Sequence, residues 1–448
     1  MRRNASILFG CLTTILVLLL GCGGRKTAAP QDGAAADPVA KSATDTSTLT
    51  TSPTVGIDMD NAFFQSLGTN GRACATCHDS RTGWSITPDL IRQRFSATNG
   101  TDPIFRTNDG AVSPDADVST AADRHEAYRM LLRYGLIRVG LPVPATADFA
   151  LAAVNDPYQF ASQAELSLFR RPLPSTNLRY LSTVMVDGRE SPAGRTIQLA
   201  LFSQANDATT GHAQGVGLTT AQQAQIVAFE TSIYSAQLCA QDVVELDADG
   251  ALGGPDNLSL QQFSTGINDP ANAGFNPQVF QLFGAWLSQG GLRASIARGE
   301  QIFNARTFTI QGVAGLNDVI GQPQVQGTCS GCHNTPNVGN HSTASFFNIG
   351  TAELALQNQD FPAYTFRDSA TGQTQKTTDP GRALITGLWA DIGKFKVPGL
   401  RNLATHPPYF HNGQASDIDA VISFYDSRFN IGLSDHEQQD LEAFLLSL

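Results

Sequence analysis

Two copies of the pattern Cys-x-x-Cys-His constrain this chain more than any other feature of its sequence. The pattern occurs in NGRACATCHDS and again in GTCSGCHNTP, and the residues are Cys74, Cys77, His78, Cys329, Cys332 and His333. It is the attachment signature of c-type haem. Two cysteines at this spacing reach the two vinyl groups on one edge of the macrocycle, and the adjacent histidine then lies under the iron as its proximal ligand. The sequence therefore predicts two covalently bound c-type haems.

A redox-active cysteine pair and a zinc site are the alternatives to haem. A thioredoxin-like pair needs no histidine after its second cysteine. A zinc site built from four cysteines leaves both histidines unexplained. Once the motifs are set aside, Cys239 has no obvious partner in the sequence. No disulfide framework therefore competes with the haem interpretation.

Residues 1–21 are predicted to be a lipoprotein signal peptide. Arg2 and Arg3 precede an apolar run of fourteen residues, which is short for a membrane span and typical of a signal peptide. The run ends in LLGC, which resembles the lipobox of bacterial lipoproteins, so Cys22 is the expected site of lipidation; an uncleaved anchor is the alternative. Residues 22–55 are rich in Ala, Thr, Gly, Ser and Pro and are expected to form a flexible tether. We therefore expect a periplasmic protein held at the membrane by its lipid, with the outer membrane favoured because Gly23 follows Cys22.

The length of 448 residues allows two or three domains, each with its own core. Gly/Pro/Asp-rich loops such as GINDPANAG indicate a connecting or inserted region at 246–300. It would separate an N-terminal haem domain at 56–245 from a C-terminal cytochrome c domain at 301–448. The net charge of −11 argues against nucleic acid as a partner, because phosphates need Lys and Arg.

The sixth iron ligand distinguishes an electron carrier from a catalyst. No methionine follows Met185, so the second motif has no local methionine ligand. Ser416 or Asp417 is expected to cap a helix, and one face of that helix combines Ile418, Val421, Ile422 and Tyr425. Tyr425 then points inward, either as a core tyrosine bonded to a carbonyl or as an iron ligand. The following SDHE predicts a capping box for a closing helix.

The chain resembles the superfamily of bacterial di-haem cytochrome c peroxidases and MauG. The resemblance is carried by GTCSGCHNTPNVGN, FFNIG and FKVPGLRNLATHPPYFHNG. In the peroxidases a methionine ligand lies fourteen residues after the histidine of the last segment, and MauG-type members have a tyrosine there. Counting from His411 reaches Tyr425, so the resemblance implies Tyr425 as the sixth ligand of the C-terminal haem. It also implies a mainly α-helical fold, with two cytochrome-c-like haem domains packed around a shared interface.

The N-terminal half departs from the family pattern. The segment LSTVMVDGRE resembles the Trp-Asp-Gly-Arg segment of the family, with Val186 where the inter-haem tryptophan stands. The usual relay is therefore in doubt, and the possible substitutes are Trp84, Trp286 and Trp389. The family also has a distal histidine shortly after the first motif, whereas this chain has none between His78 and His125. We interpret His125 as a packing or surface residue, with iron ligation as the alternative.

The resemblance also implies residues that handle protons and a second kind of cofactor. Above the peroxide-binding haem the family has a glutamine followed by a glutamate; Gln204 matches the glutamine, and the glutamate position falls near His212, where no carboxylate fits. His212 is the candidate for moving the proton; an axial ligand and a solvent-facing loop histidine are the alternatives. The family binds calcium between its domains, and His406 and Pro408 match two positions that supply backbone carbonyls.

These likenesses imply a function that can be stated as an expectation. Hydrogen peroxide or another small oxidant is reduced at the N-terminal haem, with electrons relayed through the C-terminal haem. A small redox protein of the cytochrome c or cupredoxin type supplies those electrons. One alternative is a lipid-anchored di-haem electron-transfer cytochrome without catalysis. The other is oxidation or oxygenation of an organic or protein substrate, as in MauG-type and rubber-cleaving relatives.

Overall fold

A computed structural model describes residues 48–51, 58–241 and 244–448. The signal peptide at 1–21, the lipidation site Cys22 and most of the tether lie outside these residues and stay predictions. One stretch of the expected tether differs from expectation. Thr48–Thr51 forms a strand that pairs antiparallel with Tyr234–Gln237, since β-branched threonine favours extended backbone.

Twelve α-helices lie within the described residues. They are α1 Pro88–Thr98, α2 Ala121–Ala127, α3 Arg129–Tyr134, α4 Ile197–Gly211, α5 Thr220–Ser232, α6 Gly254–Ser259, α7 Gly291–Ala305, α8 Cys329–Cys332, α9 Thr351–Leu354, α10 Ala383–Thr386, α11 Ile418–Phe429 and α12 Asp435–Leu445. Side chains at the first turn set where several of them begin. Thr196, for example, accepts a hydrogen bond from an amide of α4, and Thr219 and Gln222 form the capping box of α5.

Short antiparallel strands connect the helices. In the described chain they are β1 Thr48–Thr51, β2 Ile137–Leu141, β3 Phe149–Asn155, β4 Leu166–Arg170, β5 Tyr234–Gln237, β6 Cys239–Ala240, β7 Val244–Glu245, β8 Phe308–Gln311, β9 Gln324–Gly327, β10 Phe346–Phe347, β11 Ala363–Asp368, β12 Thr374–Thr377 and β13 Phe395–Lys396. The pairs are β1 with β5, β2 with β4, β6 with β7, β8 with β9 and β10 with β13. A three-stranded sheet has the order β12-β11-β3, so it joins the N-terminal and C-terminal parts of the chain.

The prediction of a mainly α-helical fold is confirmed only in part, because helices, with the short 3-10 helices included, account for 34% of the described residues and strands for 14%. One of these strands, β4, has apolar residues that follow no helical period. In β4, with the sequence LSLFR, every residue is buried, and such a short apolar run favours a buried strand over a helix.

Both predictions for the C-terminal helices are confirmed. Asp417 caps α11 by accepting a hydrogen bond from the Ala420 amide. Ser434 and Glu437 form the capping box of α12. The last helix then packs against α7, where Phe280, Phe303 and Phe444 share one buried cluster.

Buried aromatic side chains pack against each Cys-x-x-Cys-His motif. Phe63, Trp84 and Phe229 have ring centroids 4.9 to 6.0 Å apart, and Cys74 packs on the same cluster. At the second motif, the Phe303 ring lies 6.0 Å from the His333 ring. Fully buried aromatic side chains each contribute about 1.5–3 kcal/mol through burial. Burial of these aromatic residues therefore stabilises the position of both motifs.

Cys239 is disulfide-bonded, so the expectation that it stands alone is wrong. Spacing in a sequence does not show which cysteines meet in space. The cysteines of the two motifs remain free thiols. In the ranges that the structure describes, none of the helices combines the length and apolar character needed to cross a membrane.

Candidate functional site

One cavity of about 500 Å³ reaches both Cys-x-x-Cys-His motifs. Every motif residue contributes to its lining: Cys74, Cys77, His78, Cys329, Cys332 and His333. The other predicted site residues within the described chain, Gln204, His212 and Tyr425, line the same cavity. Residues from distant parts of the sequence therefore form one site.

The first motif is a tight turn that orients its histidine. The His78 amide donates to the Cys74 carbonyl at 3.0 Å. The His78 ring places Nδ1 3.0 Å from the Trp84 carbonyl. When Nδ1–H is bonded to a carbonyl, Nε2 carries the lone pair that binds a metal. Burial also lowers the pKa of His78, which favours the neutral imidazole that ligation requires.

The second motif repeats this arrangement on α8. The His333 amide donates to the Cys329 carbonyl at 3.0 Å, and His333 Nδ1 lies 2.5 Å from the Gly339 carbonyl. Burial lowers the pKa of His333 to about 4. Both histidines therefore present Nε2 as the available ring nitrogen.

The residues present at both motifs fit c-type haem. Each motif offers two free thiols and one oriented histidine beside a cavity. Burial raises the pKa of Cys74 and Cys329 to about 12, so both thiols are protonated when nothing is bound to them. No cluster of three or more His, Cys, Asp or Glu in residues 48–51, 58–241 and 244–448 is arranged to hold a metal ion.

Tyr425 faces the second motif from α11. Its ring belongs to the buried cluster that also includes Cys329 and Cys332. Burial raises the pKa of Tyr425, and the two nearby cysteines raise it further. The predicted helical face of Ile418, Val421, Ile422 and Tyr425 lines the cavity.

His212 lies in a charged network beside the first motif. It ends α4, and its Nδ1 is 2.5 Å from Asp109 Oδ2. The other oxygen of Asp109 accepts a hydrogen bond from Arg72 Nη1, also at 2.5 Å. Burial raises the pKa of Asp109, but the hydrogen bond from His212 and the charge of Arg72 outweigh it, so the pKa lies below its ordinary value. Asp109 is therefore ionised and orients the imidazole.

His212 and Gln204 both reach the region of the first motif. His212, Gln204 and His78 all line the cavity. Gln204 lies on α4, two helical turns before His212. The structure thus places Gln204 and His212 together. His125 lies elsewhere: it is exposed and packs edge-on against Phe95 with ring centroids 5.6 Å apart.

The space between the motifs is lined by Val186 and by residues of β13 and the loop after it. The Lys396 amide donates to the Val186 carbonyl at 2.9 Å. The Phe395 ring stacks on the His411 ring with centroids 4.0 Å apart. The tryptophans of the described chain do not line this cavity. None of the three suggested substitutes therefore stands where Val186 does.

A buried ion-pair network lies next to Val186. Arg170 binds Asp379 through two hydrogen bonds, at 2.7 and 2.9 Å, and Asp187 at 2.5 Å. Arg189 adds a second positive charge to Asp187. Burial raises the pKa of Asp187, but Arg170 and Arg189 outweigh it and bring it to about 2. This network fixes the VDGR segment against the C-terminal part.

Sequence reasoning missed two carboxylates in the cavity lining. Asp109 stands in a loop segment with no motif of its own. Glu230 lies on α5, where its Oε2 has no hydrogen-bond partner among the described residues, and burial raises its pKa to about 8. A charged residue on the otherwise apolar face of Ile226, Val227 and Phe229 was the one available signal for Glu230.

The fold brings both Cys-x-x-Cys-His motifs, the attachment signature of c-type haem, to one cavity. No family model matches the chain. The sequence is 30% identical over 139 residues to cytochrome-c peroxidase IdrP1 of Denitromonas iodatirespirans, which is 27% of this chain and 36% of that protein. It is 39% identical over 72 residues to cytochrome c peroxidase Ccp of Escherichia coli, which is 16% of this chain and 15% of that protein.

A third similarity is to a protein named for methylamine utilization. The chain is 32% identical over 99 residues to MauG of Paracoccus denitrificans, covering 22% of this chain and 24% of MauG. The chain thus spans about a third or less of the length of these curated relatives. The similarities support the resemblance to the di-haem peroxidases and MauG, and they agree with c-type haem as the cofactor.

Proposed function

We propose that the protein is a periplasmic di-haem oxidoreductase that reduces hydrogen peroxide at its N-terminal motif, with electrons relayed through its C-terminal motif. One observation carries the proposal: His212, oriented by an ionised Asp109, lines the same cavity as His78. A carrier of electrons needs no such proton-handling group beside its iron ligand. The similarity to cytochrome c peroxidases supports the same reaction class.

Both motifs hold haem in this proposal. Bound haem supplies the iron that exchanges electrons with peroxide and with the donor. His78 and His333 would bind the irons, and the motif cysteines would hold each haem by thioether bonds. Tyr425 would be the second protein ligand of the iron at the second motif, an assignment supported by its packing in the same cluster as Cys329 and Cys332. In this proposal the first motif keeps an open side, and the free Nε2 of His212 serves proton transfer there rather than iron binding.

Proton transfer is the task of His212 in the proposed reaction. Reduction of peroxide to water consumes as many protons as electrons. Asp109 holds Nδ1 of His212, so Nε2 is left to exchange a proton. Gln204 lies on the same helix and offers an amide that hydrogen-bonds peroxide. The His212 side chain is 39% exposed, so the network can be reprotonated from solvent.

The donor and the location follow from the same reasoning. A small redox protein of the cytochrome c or cupredoxin type supplies electrons, and the lipid at Cys22 holds the enzyme at the membrane. The N-terminal haem domain at 56–245 and the C-terminal domain at 301–448 face a shared interface, which the single cavity with both motifs supports.

A second candidate is oxidation of an organic or protein substrate. Tyr425 favours it, because the resemblance associates a tyrosine ligand with MauG-type members. Without Trp at position 186, the usual relay between the haems is also missing. In this candidate the oxidising power gained from peroxide passes to an external substrate, so peroxide turnover would depend on that substrate and not on a reduced donor protein.

Stopped-flow mixing of the holoprotein with hydrogen peroxide tests the proposal. We expect His212→Ala to slow the reaction by about 10²-fold or more, because general acid–base catalysis contributes that much. Both haems should remain attached, as measured by the pyridine haemochrome assay. His125→Ala is the matched control, since this exposed histidine lies outside the cavity and should leave the rate unchanged. Equal rates for His212→Ala and the wild-type protein would remove His212 from the mechanism.

A further inference from the structure

The guanidinium of Arg171 lies in a cage of backbone carbonyl oxygens. Nη2 donates to Ile86 at 2.7 Å, to His406 at 2.9 Å and to Pro407 at 3.4 Å. Nη1 donates to Tyr134 and Gly135, both at 3.2 Å. The residue is 8% exposed. Five carbonyl dipoles therefore converge on one buried positive charge.

No carboxylate neutralises this charge within the described chain. Arg171 forms none of the ion pairs found there, whereas its neighbour Arg170 binds both Asp187 and Asp379. Burial lowers the pKa of Arg171 to about 10, so it stays protonated at neutral pH. A buried charge without a counter-ion costs several kcal/mol unless polar groups solvate it. The carbonyl cage is what solvates Arg171.

The cage combines carbonyl groups from the N-terminal and the C-terminal parts of the chain. Its members Ile86, Tyr134 and Gly135 come from the N-terminal part, and His406 and Pro407 come from the C-terminal part. Gly135 has a φ of +62°, and a Cβ there would lie 2.1 Å from Arg171 Nη1. A larger residue at this position would therefore displace the guanidinium.

The backbone of Arg171 reinforces the same joint. Its amide donates to the His411 carbonyl at 2.7 Å. The segment between these contacts carries His406, Tyr409 and His411, which line the cavity. Arg171 thus fixes a wall of the cavity to the part of the chain that bears the first motif.

Backbone carbonyls are also the ligands that Ca²⁺ accepts, at 2.3–2.6 Å. The resemblance implies calcium at His406 and Pro408, yet the His406 carbonyl already accepts a hydrogen bond from Arg171. An ion at calcium distance from this carbonyl would overlap the guanidinium and meet its positive charge. The residues present therefore do not fit calcium at this position.

We propose that Arg171 is the resident cation of this joint and takes the place of calcium between the two haem-bearing parts. A side chain, unlike an ion, does not dissociate. The joint is therefore insensitive to chelators, and the relative position of the two parts does not depend on calcium supply. This inference concerns the joint and is independent of the peroxide reaction.

Thermal unfolding of the holoprotein in excess EGTA and in millimolar CaCl₂ tests the proposal. We expect the same Tm in both conditions for the wild-type protein, and no stoichiometric calcium by atomic emission. Arg171→Gln removes the charge and leaves the carbonyls unsatisfied, so its Tm in EGTA should fall by about 5 °C or more. Calcium should raise the Tm of this variant, because the cage is then open to a cation.

Two further variants keep the test decisive. Arg124→Gln is the matched control, because Arg124 donates to the carbonyls of Asn99, Val118 and Ser119, all in the N-terminal part; no calcium response is expected. Arg171→Lys keeps the charge and should fold even if Arg171→Gln does not, again without a response to calcium. The proposal is overturned if EGTA lowers the Tm of the wild-type protein. It is equally overturned by an unchanged Tm in Arg171→Gln, by a lowered Tm that calcium does not raise, or by calcium stabilisation of Arg171→Lys.

Discussion

Replacement of Asp109 by asparagine removes one charge from the network beside the first motif and keeps its shape. The carboxylate accepts hydrogen bonds from His212 Nδ1 and from Arg72 Nη1, both at 2.5 Å. An amide oxygen at the same place stabilises a protonated imidazole less well. In the proposed mechanism, the variant should therefore transfer protons to or from peroxide more slowly.

The expected decrease in rate follows from the strength of the hydrogen bond between Asp109 and His212 and from its exposure to solvent. A hydrogen bond to a charged group contributes about 1.5–3 kcal/mol. The His212 side chain is 39% exposed, so solvent screens part of this interaction and the lower end applies. Since about 1.4 kcal/mol corresponds to a tenfold change in rate, we expect Asp109→Asn to react with peroxide about tenfold more slowly. Stopped-flow kinetics of the ferric holoprotein measures this.

Asp109→Asn also weakens a buried ion pair, which costs about 3 kcal/mol or more of stability. Asp440→Asn is the matched control, because Asp440 is a buried carboxylate that pairs with Arg298 and lies outside the cavity. It should lower the free energy of unfolding and leave the peroxide reaction at the wild-type rate. If Asp109→Asn retains both haems and reacts at the wild-type rate, the proposed role of the network is wrong.

Three other predictions address the remaining parts of the site. Tyr425→Phe should change the optical spectrum of one haem only and leave its covalent attachment intact; an unchanged spectrum would make Tyr425 a core residue. Cys332→Ala should remove one thioether at the second motif, detected as a shift in the pyridine haemochrome band of one haem. The pKa of Asp187 is about 2 in the folded protein, below its ordinary value of about 3.9, so its ion pairs contribute about 2–3 kcal/mol above pH 4 and lose this as the pH falls toward 2. In denaturant titrations, Asp187→Asn should lower the free energy of unfolding at pH 7 and show a smaller loss between pH 4 and pH 2, and equal pH dependence in both proteins would contradict this.

The local features of the site could be predicted from the sequence. The Cys-x-x-Cys-His spacing identified both motifs, and helical periodicity placed Tyr425 on the inward face of α11. Capping residues such as Asp417 and Ser434 marked where the last helices begin. Each of these features depends on residues within a few positions of one another, so the sequence contains the whole pattern.

The features that were missed depend on contacts between distant segments. Asp109 and His212 are 103 positions apart, and neither segment has a pattern that indicates the other. The carbonyl cage of Arg171 joins residues as far apart as Ile86 and Pro407, and backbone oxygens have no signature in a sequence. The strand Thr48–Thr51 was expected as tether, because its composition is polar and its partner Tyr234–Gln237 lies far along the chain.

Low-temperature EPR of the ferric holoprotein, before and after one equivalent of hydrogen peroxide, tests the central claim most directly. The claim is that the haem at His78 has an open side next to His212 and reacts there with peroxide. It predicts a high-spin ferric signal that disappears when peroxide is added, either directly or after reduction by one electron. Two low-spin signals that do not respond to peroxide in either state would contradict the claim and identify the protein as an electron carrier.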